Sequence, residues 1–256
     1  MAKGYIAPGR GGADPGAVGN GLKEKDLNLT IGKYCAEYLK AQSVTVKMSR
    51  TKDIDPGLNQ RAAEANKWGA DLVCEIHINA GGGDGAEVYY SIAGGTSKKM
   101  AQNIEAEIKK IGQNSRGIKT KKNAQGQDYL GIIRMTKAPA VLVECAFIDT
   151  KDIRIIDTKA EQKTMGEAIA KGILKTLGVE DKPAEDKKAA EDKPAEEFKV
   201  KVTANALNVR SGPGTNYEIK TVIRDKGIYS ITETSGSWGK LKSGTGWISL
   251  NYCRRL

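Results

Sequence analysis

The feature that most limits the fold of this chain is a run of charged and small residues at 180–197, which reads EDKPAEDKKAAEDKPAEE. The hexapeptide EDKPAE at 180–185 returns at 191–196, with no large apolar residue between the two copies. A segment of this composition has no apolar surface to bury, so it predicts a solvated, flexible linker. We therefore expect two domains, at residues 1–179 and 198–256, on either side of this linker.

The part before the linker alternates short apolar segments with amphipathic ones. This alternation is typical of an α/β domain with a mainly parallel or mixed sheet flanked by helices. Apolar residues at helical spacing, such as Met165, Ile169 and Ile173, predict a last helix that ends at Gly178. The predicted strands are residues 4–8, 45–49, 72–78, 86–90 and 140–145.

The part after the linker shows no helical period. Short β-rich segments such as LNVRS, YSITET and GWISL are separated by Gly, Ser, Pro and Asn, which predicts a small all-β barrel. Ten basic and three acidic residues give residues 198–256 a net charge of +7. This part is therefore expected to adhere to an anionic partner.

Composition excludes several classes of protein. No apolar run approaches the roughly 20 residues that span a bilayer, so membrane insertion is not expected. The start MAKGYIAPG lacks the regions of a secretory signal, so we expect synthesis in the cytoplasm without a signal peptide.

The net charge of +10 suits nucleic acid, acidic lipid or an anionic wall polymer, but no nucleic-acid-binding signature accompanies it. The four scattered cysteines are predicted to be buried thiols, with a disulfide as the alternative. No segment indicates a dimer interface, so a monomer is expected.

Three residues are candidates for chemistry. His77, the only histidine, closes the apolar run LVCEIHIN, and α/β folds place ligands at the carboxyl edge of the sheet. A hydrogen-bonded structural histidine is the alternative. Glu144 follows four apolar residues in PAVLVECAF, where a carboxylate must be ion-paired, neutralised or used in catalysis. Glu24 is either a site carboxylate or one favoured by the start of a helix.

The surroundings of these residues resemble one family along residues 3–178. GRGGADPGAVG, EKDLNL, LNQRAAEANKWGADLVCEIHINA, GAEVYY and APAVLVECAFIDTKDI are similar to successive motifs of zinc-dependent N-acetylmuramoyl-L-alanine amidases. The resemblance implies that Glu24 and His77 are zinc ligands and that Glu144 is the catalytic carboxylate. In that chemistry zinc lowers the pKa of its bound water towards about 7 and polarises the amide carbonyl. The carboxylate passes the proton to the leaving L-alanine nitrogen.

Arg10 departs from the family pattern, which has a zinc-ligand histidine at this position. A guanidinium stays protonated and offers no lone pair, and its charge repels a dication. The sequence therefore predicts that Zn²⁺ is lost or weakly bound, that this chain is inactive or weakly active, and that Arg10 pairs with Glu24 or Glu144. Arg10 is either an inactivating change in an otherwise intact enzyme, which the unspoiled motifs favour, or the mark of a non-catalytic relative.

The second domain has its own resemblance. ALNVRSGPGTNY and WGKLKSGTGWISLNY are similar to the bacterial type of SH3 domain, over about residues 199–252. The resemblance implies adhesion to peptidoglycan or an anionic wall polymer. Trp238 and Trp247 are expected in the core, with a platform for a ligand as the alternative. The two resemblances imply a peptidoglycan hydrolase that cuts the amide between N-acetylmuramic acid and L-alanine, at the cell wall after release. A phage endolysin is favoured over a sporulation lysin, and a catalytically silent wall-binding protein is the alternative.

Overall fold

The chain forms two compact units, Met1–Ala184 and Glu185–Leu256. The computed structural model describes residues 1–182, 197–214, 217–235 and 238–256. Most of the predicted linker lies outside the described residues, so its flexibility and the domain limits at 179 and 198 stay predictions.

The described part of the first unit contains eight strands, five α-helices and one 3-10 helix, at Lys151–Ile155. The strands are β1 (Lys3–Pro8), β2 (Val18–Gly19), β3 (Leu22–Lys23), β4 (Thr45–Met48), β5 (Leu72–Asn79), β6 (Ala86–Tyr90), β7 (Ser115–Lys119) and β8 (Ala140–Phe147). The helices are α1 (Glu24–Ala41), α2 (Gly57–Trp68), α3 (Gly95–Lys110), α4 (Gly131–Met135) and α5 (Lys159–Leu177). Helix α5 ends just before Gly178, as the sequence predicted.

Six of these strands form one mixed sheet in the order β4-β1-β5-β8-β6-β7. Strands β4, β1, β5 and β8 run parallel, whereas β6 is antiparallel to β8 and parallel to β7. The predicted α/β fold with a mixed, helix-flanked sheet is confirmed. The sequence analysis missed β7, because its sequence SRGIK has a single large apolar residue, Ile118. Strands β2 and β3 pair only with each other.

Helices cover the two faces of the sheet unequally. Successive side chains of a strand point to opposite faces, so neighbours such as Tyr5 and Ile6 enter different cores. Ile6 belongs to the larger core, which contains residues of α1, α3 and α5. Tyr5 belongs to a smaller core with residues of α2 and α4. The face of the sheet that packs against α2 and α4 is here called the α2/α4 face. These two helices leave part of this face to polar side chains.

Helix α5 crosses α1 closely at Gly166. A Cβ added at Gly166 would lie 2.6 Å from the carbonyl oxygen of Ile31 and 2.9 Å from the amide nitrogen of Cys35. Both atoms belong to the backbone of α1, so they cannot swing aside as a flexible side chain would. The crossing distance of the two helices therefore depends on glycine at this position.

Gly166→Ala is expected to lower the free energy of unfolding by about 1–3 kcal/mol, because the added methyl forces the two helices apart. The loss should appear although alanine has the better helix propensity. Urea unfolding followed by circular dichroism measures it, with Thr164→Ala at an exposed position of α5 as the control. A Gly166→Ala variant as stable as the control would contradict the close crossing.

The described part of the second unit is all-β. Its strands form one antiparallel sheet in the order β11-β10-β14-β13-β12-β9-β15. They are β9 (Phe198–Val202), β10 (Leu207–Arg210), β11 (Ile219–Ile223), β12 (Ile228–Ser235), β13 (Trp238–Leu241), β14 (Trp247–Ser249) and β15 (Cys253–Arg255). Val200, Val209 and Ile248 lie in its core. Trp247 is buried, as predicted, whereas Trp238 is partly exposed.

Two further expectations concern the whole chain. Three of the four free cysteines are buried, as predicted, and Cys253 is partly buried. Within the described ranges, no helix combines the length and the apolar character needed to cross a bilayer.

Candidate active site

Polar side chains form a row on the α2/α4 face of the sheet. His77 on β5 lies in register with Glu144 on β8, and Glu144 lies in register with Glu87 on β6. Neighbouring strands are about 5 Å apart, so these three residues are adjacent across the sheet. The structure thus places the sequence-predicted His77 and Glu144 side by side.

Glu24 joins this row from outside the sheet. It is the first residue of α1 and is 1% exposed. Its Oε1 lies 2.7 Å from Nδ1 of His77, and its Oε2 accepts a hydrogen bond of 2.8 Å from the amide of Ala17. The positive end of the α1 dipole also favours a carboxylate here. The predicted pair Glu24 and His77 is therefore in direct contact.

Glu24 and His77 form a buried ion pair. Burial acts to raise the pKa of Glu24, but the hydrogen bond and the charge of His77 outweigh it and lower that pKa to about 2. Burial acts to lower the pKa of His77, but the hydrogen bond with Glu24 and the nearby carboxylate of Glu75 outweigh it and raise that pKa to about 10. The two opposing shifts favour the charged form of each partner, a carboxylate and an imidazolium.

Arg10 covers the other oxygen of Glu24. Its Nε lies 3.3 Å from Glu24 Oε2, and its Nη1 lies 3.3 Å from Oδ2 of Asp14. The sequence predicted pairing with Glu24 or Glu144, and the contact observed is with Glu24. The backbone loop comes close to the sheet here, because a Cβ added at Gly9 would lie 2.3 Å from the ring of His77. Arg10 and His77 therefore hold Glu24 from two sides.

Glu144 differs from Glu24 in having no such support. Its Oε2 is buried and has no hydrogen-bond partner among the described residues. Burial raises the pKa of Glu144 to about 7, against the opposing charge of His77 and with the help of the charges of Glu24 and Glu87. A carboxyl group with this pKa can both accept and return a proton near neutral pH. Its environment suits a general base.

A second ion pair lies behind His77. Glu75 Oε1 is 3.0 Å from Nη2 of Arg61, and Glu75 Oε2 is 3.8 Å from Nε2 of His77. Sequence analysis singled out neither residue. A signal was present, since Glu75 interrupts an apolar run as Glu144 does. Its partner could not be read from the sequence, because Arg61 belongs to α2.

The donor set does not fit a catalytic zinc. Such a zinc takes three protein ligands and keeps one position open for water. Glu24 supplies one donor, His77 supplies a second once its ring loses a proton, and the third side of the site is the guanidinium of Arg10. In the part of the chain that the structure describes, no three His, Cys, Asp or Glu side chains form a group that could hold a metal ion.

Both units match known families. Residues 5–175 match the N-acetylmuramoyl-L-alanine amidase family. The chain belongs to this family. Residues 205–253 of the same amidase chain match the bacterial SH3 domain. Both resemblances read from the sequence are thereby confirmed.

Individual relatives agree with these matches. The amidase chain is 34% identical to the sporulation-specific N-acetylmuramoyl-L-alanine amidase of Bacillus subtilis, over 81% of this chain and 79% of that protein. It is 36% identical to the endolysin of Bacillus phage SPP1, over 70% of this chain and 67% of that protein. A solved N-acetylmuramoyl-L-alanine amidase from Clostridium difficile 630 superposes with a TM-score of 0.63 at 31% identity, covering 69% of this chain and 97% of that one.

Glu144→Gln is expected to stabilise the amidase fold at pH 8 but not at pH 4. The carboxyl ionises near 4.5 when unfolded and near 7 when folded, so its ionisation costs stability as the pH rises between these values. Glutamine removes that cost, on the order of 1–3 kcal/mol at pH 8. Urea unfolding at both pH values measures the difference, and Glu37→Gln at an exposed position of α1 is the control. An equal gain at pH 4 would show that the cause is not the charge.

Proposed function

We propose that this chain is a lytic peptidoglycan hydrolase directed at the amide between N-acetylmuramic acid and L-alanine, with its own catalysis impaired by Arg10. The observation that carries the proposal is the 3.3 Å contact between Arg10 Nε and Glu24 Oε2. It supports the interpretation that a guanidinium replaces the zinc-ligand histidine that the resemblance implies at this position. Zn²⁺ is therefore expected to be lost or bound weakly, and hydrolysis to be reduced by orders of magnitude.

The remaining residues keep the roles that the resemblance implies. Glu144 is the catalytic carboxylate, which takes a proton from the attacking water and returns it to the leaving L-alanine nitrogen. Its raised pKa, near 7, supports this role. Glu24 and His77 are the two remaining metal-ligand positions, and in this chain they are tied to each other and to Arg10.

Arg10→His is expected to restore the missing donor. The variant, supplied with zinc, should hold one zinc per chain and release stem peptides with a free N-terminal alanine on the order of 100-fold faster or more. Metal analysis and peptide release from purified Gram-positive peptidoglycan measure the two effects. Arg10→Gln is the matched control, because it removes the positive charge without supplying an imidazole and should restore neither.

Two outcomes would change the proposal. Tight zinc binding and full peptide release by the unmodified chain would refute the impairment. If the unmodified chain and the Arg10→His variant were both retained on walls and neither released stem peptides, a catalytically silent wall-binding protein would be supported instead. The Arg10–Glu24 contact is compatible with that second function.

We infer that residues 198–256, joined through the linker, bind the wall. The match to the bacterial SH3 domain and the charge of +7 support this. Lys201 on β9 lies directly opposite Arg254 on β15, and both are exposed. Like charges placed opposite each other repel, so this pair favours an anionic partner. The partners proposed are peptidoglycan and anionic wall polymers, with the protein acting as a monomer at the wall and without nucleic acid.

Replacing Lys201 and Arg254 by Gln together is expected to weaken retention of the full chain on purified walls several-fold, because two charges are lost from one surface. The fraction of protein that sediments with walls, measured against salt concentration, tests this. The control replaces Lys220 and Arg224, exposed cations at or just after β11, by Gln. An equal loss in the control would mean that net charge alone governs retention.

The biological setting is proposed from the relatives. Among them are a phage endolysin and a sporulation-specific amidase. We favour a phage endolysin that acts on the bacterial wall after release from the cell in which it is made.

A further inference from the structure

The polar row on the α2/α4 face continues past Glu144 to a cluster of cations around Glu87. Glu87 is 4% exposed, and its Oε1 accepts hydrogen bonds from Nε of Arg116 at 2.5 Å and from Nζ of Lys119 at 2.7 Å. Its Oε2 accepts a hydrogen bond of 2.8 Å from the hydroxyl of Tyr89. One carboxylate therefore meets two cations, which leaves the cluster with a net positive charge.

Arg116 is held in one orientation while part of its guanidinium stays available. Only its Nε is used by Glu87, and its two Nη groups donate to no residue that the structure describes. The guanidinium carbon lies 5.3 Å from the ring centroid of Phe147, and the side chain is 42% exposed. A planar fork fixed in this way is pre-organised to bind a carboxylate through two parallel hydrogen bonds.

The backbone directs Arg116 towards the site. The pairing of β6 with β7 is irregular between Ala86 and Val88, and Arg116 lies in the matching stretch of β7, between Ser115 and Ile118. Irregularities of this kind are used in sheets to re-aim a side chain, and they occur often beside active sites. Arg116 therefore reaches over β6 to Glu87, the immediate neighbour of Glu144.

The proposed reaction decides which part of the substrate passes over this cluster. Arg10, Glu24 and His77 lie on one side of Glu144, and the cluster lies on the other. In the proposed reaction Glu144 returns its proton to the leaving nitrogen, and a stem peptide that runs from this nitrogen away from Glu24 and His77 passes over β6 and β7. One residue of peptide spans about 3.8 Å, so a carboxylate on the second stem residue lies roughly 6–8 Å from the scissile nitrogen. Glu144 on β8 and Arg116 on β7 are two strand spacings apart, which is about 10 Å. The length of the arginine side chain reduces the distance that the peptide has to span.

We propose that Arg116, oriented by Glu87 and Phe147 and assisted by Lys119, binds the free α-carboxylate of the second stem-peptide residue, a γ-linked glutamate. The protein then prefers peptidoglycan in which this group is a carboxylate over peptidoglycan in which it is a carboxamide. The inference names the substrate class of the proposed amidase site and rests on the proposed function.

The test measures binding, so that it does not depend on hydrolysis. Two soluble ligands, N-acetylmuramoyl-L-alanyl-D-isoglutamate and its isoglutamine counterpart, are titrated into the full chain by NMR or calorimetry. The acid is expected to bind roughly 10- to 100-fold more tightly than the amide, the range for a charge-assisted, two-bond contact. Arg116→Gln should bring this ratio close to one while leaving the affinity for the amide nearly unchanged.

Two further variants test whether the preference for the acid depends on the planar guanidinium of Arg116 rather than on its positive charge or on a folding defect. Arg116→Lys keeps the charge but loses the fork, so an intermediate preference is expected even if Arg116→Gln folds poorly. Lys163→Gln removes one exposed cation from α5, far from the cluster in the sequence, and should keep the full preference. Melting temperatures establish that each variant is folded.

The outcomes distinguish the subsite from the proposed function. Equal binding of the two ligands by the unmodified chain overturns the subsite and leaves the amidase proposal standing. A full preference for the acid that persists in a folded Arg116→Gln variant also overturns the role of Arg116. Binding of neither ligand overturns the proposed function, and the subsite with it.

Discussion

The site is organised around one buried carboxylate, that of Glu24. A charge taken out of water is costly unless other groups compensate it, so its contacts have to be satisfied together. His77 binds one oxygen, while Arg10 and the amide of Ala17 bind the other. These contacts connect the start of α1, the end of β5 and the glycine-rich loop after β1. The position of each element at the site depends on the same carboxylate.

The same contacts explain how a family member can keep its architecture under the impairment of catalysis proposed above. Arg10 supplies a fixed positive charge beside Glu24, which compensates the buried carboxylate. It also occupies that carboxylate and brings no lone pair of its own. Arg10 therefore supports the local fold, and under the proposed function it does so at the expense of the donor set.

Glu144 shows that one face of a sheet can hold carboxyl groups with opposite properties. Glu24 is an ionised partner in an ion pair, and its pKa is low. Glu144 lies one strand beyond His77 and has a raised pKa, because burial outweighs the nearby positive charge. Glu87, on the following strand, is ionised through Arg116 and Lys119, whose hydrogen bonds outweigh the effect of burial and lower its pKa. Position along the row decides which carboxyl group can exchange a proton near neutral pH.

The sequence by itself determined what depends on local pattern. Periodicity and composition predicted the α/β and all-β parts, and the motifs around Glu24, His77 and Glu144 identified the family and the anomaly at Arg10. Strand β7 was missed, because an edge strand with one inward apolar residue leaves almost no pattern. Only the tertiary structure decided the strand order, with β6 antiparallel between β8 and β7. The tertiary structure also assembles the groups around Glu87 and Glu75. These contacts join side chains from separate elements, and they depend on strand register, which no local pattern records.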